Sequence, residues 1–292
     1  METNIAKYWA EAVEQHQRRA YRHDEGQGRY PFFEVRLNLI DDLLKECPPK
    51  RLLDAGCGAG QILAHFLNLD WDGVGVDLVP GMVELARATL TEAGHNPNRV
   101  SEGDVIDLSI FPDESFDLIL SVGVMEYLRP DEECHAFAEA RRLLKPDGLF
   151  LVENINKLFD LTTFNRFTIN FFAEHFIPAF FDSETEKDRV LGKLNGLVAY
   201  PERPDPEGKY STTRDEVYTK GEISIEYARK VCDFGFEQIE QAFYRFHSVP
   251  PLLFEEEPDL ETVSIERELA LSRHWIGNFL ASGFIAVLKK TR

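Results

Sequence analysis

The 292-residue sequence predicts an α/β fold: a seven-stranded, mostly parallel sheet with helices on both faces and a helical insertion after the fifth strand. Three observations predict it. Short apolar runs alternate with amphipathic stripes through the middle of the chain, the pattern of a parallel sheet, in which a helix carries the chain back between strands. A glycine-rich stretch, Leu52-Leu53-Asp54-Ala55-Gly56-Cys57-Gly58-Ala59-Gly60, follows the first apolar run and precedes the first stripe. Seven strands, six helices and short loops use only about 160 to 180 residues, so roughly a hundred remain as additions to that core.

The elements follow in order. A helix over 5–21 and a loop through Gly26 and Gly28 make residues 1–45 an N-terminal helical cap. Residues 46–154 and 221–292 form the core, with strands at 51–55, 74–77, 99–103, 116–121, 149–153, 236–243 and 283–288. Between them lie four stripes: Ile62, Leu63, Phe66 and Leu67; Met82, Leu85, Ala86 and Leu90; Phe137, Ala140, Leu143 and Leu144; Ile225, Ala228, Val231 and Cys232. Apolar residues three and four apart share one helix face. The third stripe stops at Lys145-Pro146-Asp147-Gly148, where Pro cannot continue the ladder and Gly accepts a left-handed conformation. The remainder falls in an insertion at 155–220 and a second at 245–280.

Hydrophobic residues make up 43% of the chain, enough for a full core. The 32 basic against 51 acidic residues give a net charge of -19, a field that repels phosphate backbones and anionic lipid. Nucleic acid and membranes are therefore disfavoured as partners, and no apolar run reaches the ~18 residues of a span. Cys47, Cys57, Cys134 and Cys232 form no CxxC pair and no zinc spacing. They read as free thiols of a soluble cytoplasmic protein that holds no metal.

The glycine stretch carries the sharpest signal. Gly56, Gly58 and Gly60 allow a tight turn and let a ligand approach the backbone at a helix N-terminus. Two features separate it from a dinucleotide site: Gly58 and Gly60 are only two apart, and Asp54 sets a carboxylate where a pyrophosphate's charge would fall. That carboxylate suits a cation such as the ammonium of an amino acid. Asp77, ending the next strand, is placed to accept both hydroxyls of a ribose, and Asp104, after the third, to accept from an adenine amino group. An adenosine bearing an amino acid and no phosphates is what these three acids describe.

Here the chain resembles the class I S-adenosylmethionine-dependent methyltransferases of small-molecule type. LLDAGCGAG is similar to their glycine motif, GVDLVPGMVELA to their ribose strand and helix, EGDV to their adenine segment, FPDESFDLILSVGVMEYL to their fourth strand, and EARRLLKPDGLFLVE to the helix and fifth strand. The resemblance covers roughly residues 52–153 and implies a Rossmann-like sheet and S-adenosylmethionine as cofactor. It implies that Asp54 and the backbone of Gly56, Cys57 and Gly58 hold the methionine end, that Gly60 belongs to the same cofactor-binding turn, and that Asp77 takes the ribose. It also puts Leu78 and Met82 on the adenine, Asp104 and Val105 at its edge, and Ser121 near the methionine portion.

The additions match no family pattern. Phe159, Phe164, Phe167, Phe171, Phe172, Phe176, Phe180 and Phe181 recur at largely helical spacing until Pro178 interrupts. Such a stripe serves as a lid over an apolar or aromatic acceptor, or packs on the core or against a second copy in a homodimer. Residues 200–206 read as an irregular loop, and Tyr8, Trp9, Tyr21 and Tyr30 as rings that either close over the cofactor or pack on the core. Methyl transfer is an in-line displacement that needs a base only for a protonated acceptor. His175, inside the aromatic block, and Glu153, ending the fifth strand, are the candidates for that base; Glu126, Tyr127, Asn154 and Asn156 are other polar groups within reach. The expected activity is methyl transfer to oxygen or nitrogen of a small molecule. The rival readings are a noncatalytic S-adenosylmethionine-binding partner protein and an NAD-dependent dehydrogenase.

Overall fold

The computed structural model describes residues 7–11, 13, 31–48, 50–196, 218–254 and 264–291. Helix α1 (Phe32–Leu44) precedes β1 (Arg51–Ala55), α2 (Gln61–Asn68), β2 (Asp72–Asp77), α3 (Pro80–Glu92), β3 (Val100–Glu102) and β4 (Phe116–Ser121). Then come α4 (Pro130–Leu143), β5 (Leu144–Ile155), α5 (Arg166–Phe171), a π-helical turn (Phe172–Phe176), α6 (Ile177–Phe180) and α7 (Glu184–Asn195). The chain ends with α8 (Tyr227–Cys232), β6 (Phe236–Phe246), α9 (Ile265–Leu271), α10 (Gly277–Leu280) and β7 (Ala281–Lys290).

The strands form one sheet in the order β3-β2-β1-β4-β5-β7-β6. The first five are parallel, and β7 runs antiparallel to both β5 and β6. Strand order reverses between β1 and β4, so the crevice outside their carboxyl ends is where such a sheet binds ligands. Residues alternate between faces along each strand. Leu52, Leu118, Leu120 and Leu151 join a core with α1, α2 and α3, while Leu53, Ile119, Phe150 and Val152 join one with α4 and α8. Helices thus cover both faces, as the sequence predicts.

Several elements differ from expectation. The expected turn at Lys145-Pro146-Asp147-Gly148 is instead an irregular stretch within β5, where the pairing with β4 slips, and Asp147 rather than Gly148 takes the positive φ of 63°. Gly148 is needed for space, since a Cβ there would lie 2.9 Å from the Lys145 carbonyl. Leu144 belongs to β5, not to the helix. The α8 stripe is shifted: Tyr227 and Val231 point inward, Cys232 is exposed, and Ile225 lies outside the helix and 67% exposed. Helix α1 has a clear stripe, with Val35, Leu39, Ile40, Leu43 and Leu44 buried, that the sequence reading left undrawn. Of the helix expected over 5–21, residues 7–11 and 13 are helical and the rest lie outside the described residues.

The aromatic block divides. Phe159 and Phe171 are buried, whereas Phe164, Phe167, Phe176 and, at 80%, Phe180 are exposed. Pro178 does not end the helix at once. A proline lacks the N–H of the ladder and crowds the carbonyl four residues back, here Glu174, and the wide π-helical turn around Glu174 relieves both problems. The loop expected at 200–206 lies outside the described residues.

Residues 277–281 are tied to the sheet by Asn156, one of the polar groups expected near the acceptor. Its buried Nδ2 donates to the carbonyls of Gly277, Asn278 and Ala281 at 3.2, 2.9 and 2.8 Å. This side chain therefore fastens α10 and the start of β7. Asn156→Ala leaves those carbonyls short of donors and should cost about 2 kcal/mol in urea unfolding, while an unchanged midpoint would show that water replaces it.

Among the described residues no helix is long and apolar enough to cross a membrane, and no group of three or more His, Cys, Asp or Glu is arranged to hold a metal ion.

Candidate functional site

The four parallel strands β1 to β4 deliver Asp54, Asp77, Asp104 and Ser121 to one edge of the sheet. Asp54 sits within the end of β1 and is 2% exposed. The Leu63 N–H in α2 serves its carboxylate, but Oδ2 has no partner among the described residues. Burial, and then the negative charge of Asp77, push the Asp54 carboxyl up to about 7, against the opposing pull of Arg36 and the Leu63 N–H. Ser121 Oγ is likewise buried without a partner.

The glycine turn joins these groups. Gly56 has φ +84°, and a Cβ there would meet Val124 Cγ2 at 2.3 Å, so the turn after β4 closes down on the turn after β1. Gly58, at φ +51°, has nothing within 4 Å of the position a Cβ would take. That open side is a cradle of bare backbone. Asp77 braces it: Oδ2 accepts from Gly58 N at 2.8 Å and Oδ1 from Val79 N at 2.9 Å. Each oxygen keeps a second lone pair for a ligand. Burial raises the Asp77 carboxyl, with those two N–H groups opposing.

The other expected cofactor residues fall into two groups. Leu78 is 43% exposed beside Asp77, and Asp104 accepts from Ile106 N at 3.2 Å, its carboxyl raised by burial. Cys57, Met82 and Val105 face inward. Burial lifts the Cys57 thiol well above its ordinary range, and its Sγ would lie 3.0 Å from a Cβ at Gly75. Val105 packs on the α4 core, and Met82 on Ala59, Val79 and Leu85, joined by Trp9 and Val13 of the N-terminal helix. Trp9 also meets the Tyr127 ring edge-on at 5.7 Å, so this helix spans from α3 to the turn after β4.

The two base candidates lie on different elements. His175 stands on the π-helical turn, its ring 4.6 Å from that of Phe171 and its Nε2 3.8 Å from Glu174. Glu153 is buried, with Oε2 3.3 Å from Arg36 Nη1 and Oε1 accepting from the Tyr244 hydroxyl. Arg36 and Tyr244 lie 117 and 91 residues from Glu153, so no local sequence pattern joins them to it. His247, after β6, lies with its ring 4.5 Å from that of Phe159 and tilted by 35°; burial, and then Arg245, lower its imidazole to about 4.

The donor set fits the implied cofactor. An unpartnered buried carboxylate oxygen asks for a cationic donor, and a second carboxylate with spare lone pairs beside an open glycine backbone suits a ribose. The same carboxylates would oppose a pyrophosphate, which weighs against a dinucleotide.

Comparison with known proteins agrees. Residues 53–152 match the family model described as a methyltransferase domain. The chain is 35% identical over 124 residues to the cyclopropane-fatty-acyl-phospholipid synthase of Escherichia coli, covering 42% of this chain and 30% of that protein. It is 32% identical over 108 residues to a ubiquinone biosynthesis O-methyltransferase of Rhodopseudomonas palustris, covering 37% and 40%. The chain thus spans less than half the length of these curated relatives. Among solved structures, a 1,6-didemethyltoxoflavin-N1-methyltransferase of Burkholderia thailandensis with bound S-adenosylhomocysteine shares the fold at TM-score 0.51 and 17% identity, over 99% of this chain and 88% of that one. Residues 53–152, about a third of the chain, are therefore similar to the methyltransferase domain that this family model describes.

Proposed function

We propose that the protein is an enzyme that transfers the methyl group of S-adenosylmethionine to an oxygen or nitrogen of a small apolar or aromatic molecule. The unpartnered, buried Oδ2 of Asp54 beside the open Gly58 backbone is the observation that carries this reading. When bound, the cofactor supplies an activated methyl on a sulfonium. Asp54 holds the ammonium of its methionine end, with the Arg36 guanidinium supplying the cation that opposes the acids around it. Asp77 takes the ribose hydroxyls and Asp104 the adenine edge. Trp9 closes over the crevice from the N-terminal helix and excludes water.

Alignment does most of the remaining work, because an in-line displacement is fast only when the reacting atoms are held on axis. The exposed rings Phe164, Phe167, Phe176 and Phe180 are the acceptor side of a lid, described over residues 155–196 of the expected 155–220 block, with a second copy of the chain as the competing occupant. The O-methyltransferase of ubiquinone biosynthesis and the N1-methyltransferase of 1,6-didemethyltoxoflavin support a small acceptor. Where the acceptor carries a proton, His175 removes it; its side chain is 35% exposed, whereas both oxygens of Glu153 are engaged.

The test is mass spectrometry of a metabolite pool incubated with the enzyme and methyl-labelled S-adenosylmethionine. One product should gain a labelled methyl, and His175→Gln should slow its formation ~100-fold or more with cofactor affinity intact. Label that stays on the cofactor with every pool would favour a noncatalytic binding protein, and unimpaired turnover in the variant would remove His175 from the reaction.

A further inference from the structure

We infer that Tyr244 is a positioning residue: acting through Glu153, it holds the Arg36 guanidinium at the methionine end of the crevice. The inference rests on the assignment of that crevice to S-adenosylmethionine. The three side chains come from β6, β5 and α1, and they converge where the sheet face meets the ligand edge.

The sheet is shaped for the contact. Tyr244 and Glu153 stand on strands separated by β7, and Tyr244 is paired with Gly283 of that strand. A Cβ at Gly283 would lie 2.6 Å from the Tyr244 ring and 2.8 Å from its hydroxyl. The middle strand is thus bare where the phenol crosses it to reach β5. On the far side, Glu153 Oε2 would lie 3.6 Å from a Cβ at Gly123, which places the carboxylate under the turn after β4. Glu153 and Tyr244 are each 4% exposed, so water does not supply the missing donor if the hydroxyl is removed.

A carboxylate with a donor on each oxygen cannot turn. With Oε1 fixed by Tyr244, Oε2 offers Arg36 a single bearing. From there the guanidinium acts on the groups around it: Glu153 and Tyr244 on the sheet, Glu126 on the turn after β4, and Asp54 at the end of β1. Asp54 in turn faces Asp77 from β2 and the Leu63 N–H from α2. Arg36 is the cation that favours the ionised Asp54 needed to receive an ammonium. Without the Tyr244 hydroxyl, Glu153 rotates to take Arg36 with both oxygens and draws it away from Asp54.

Titration of S-adenosylhomocysteine into the wild type and Tyr244→Phe, at pH values on either side of neutrality, tests this. The variant should bind about tenfold more weakly at neutral pH, and the pH at which binding reaches half its maximal strength should move upward. Arg36→Lys, which keeps the charge and loses the planar fork, should move it the same way and stands in should Tyr244→Phe fail to fold. Wild-type affinity and midpoint in either folded variant would overturn the inference. So would weaker binding with an unmoved midpoint, which marks a merely structural role. Failure of the wild type to bind at all would overturn the cofactor assignment beneath it.

Discussion

Asp54→Asn is expected to stabilise the ligand-free protein above neutrality while removing most of its affinity for the cofactor. In the folded chain the Asp54 carboxyl is raised from 3.8 to about 7, chiefly by burial. Below the lower value both folded and unfolded chains hold the proton and nothing is lost. Between the two values only the folded chain holds it, so stability falls as pH rises, and above the upper value the full cost of a buried charge is present. A rise of that size corresponds to a stability difference on the order of 4 kcal/mol. Asparagine fills the same space without the charge. Urea unfolding should therefore show the variant more stable than wild type above neutrality and equal to it near the lower value. Equal stability at both would mean that Asp54 is solvated or paired in the ligand-free protein. With ligand the order reverses, because an amide cannot neutralise an ammonium, and binding should weaken by about thirtyfold to a hundredfold.

The second large effect is expected at Asp77. Its two oxygens accept from Gly58 N and Val79 N, so Asp77→Ala strips acceptors from the glycine turn as well as from the ribose. Losing the ribose contacts should cost roughly 2 to 3 kcal/mol of binding, about thirtyfold to over a hundredfold in affinity. Two N–H groups left without a partner should lower folding stability by about 2 kcal/mol more. Calorimetry and urea unfolding report the two losses separately. Weakened folding with intact binding would leave Asp77 as a brace for the turn alone.

The parallel half of the fold and the placement of Asp54, the glycine turn and Asp77 along one sheet edge are legible because they are local. Each strand end and the turn after it lie within a few residues of one another, so Asp54, the glycines and Asp77 could be read in order. Periodicity likewise gave α2 and α3 their inward faces. What escaped depends on packing between distant segments. Arg36, Glu153 and Tyr244 meet only after the sheet has assembled, and nothing near Glu153 in sequence announces its partners. Asn156 looked like a reachable polar group at a strand end and proved to be a clasp for α10, which lies more than a hundred residues away in sequence. At Asp147 and Gly148 a positive φ and a need for space fall on neighbouring residues, whereas the sequence pattern alone assigns the positive φ to the glycine.

The central claim is that Asp54 and Asp77 receive S-adenosylmethionine, and titration calorimetry of S-adenosylhomocysteine in two buffers of different ionisation enthalpy tests it most directly. Binding at one site with about micromolar affinity is predicted, with a heat that depends on the buffer near neutrality because the ammonium displaces the proton that burial keeps on Asp54. Absence of binding, or displacement of the ligand by NADH, would contradict it.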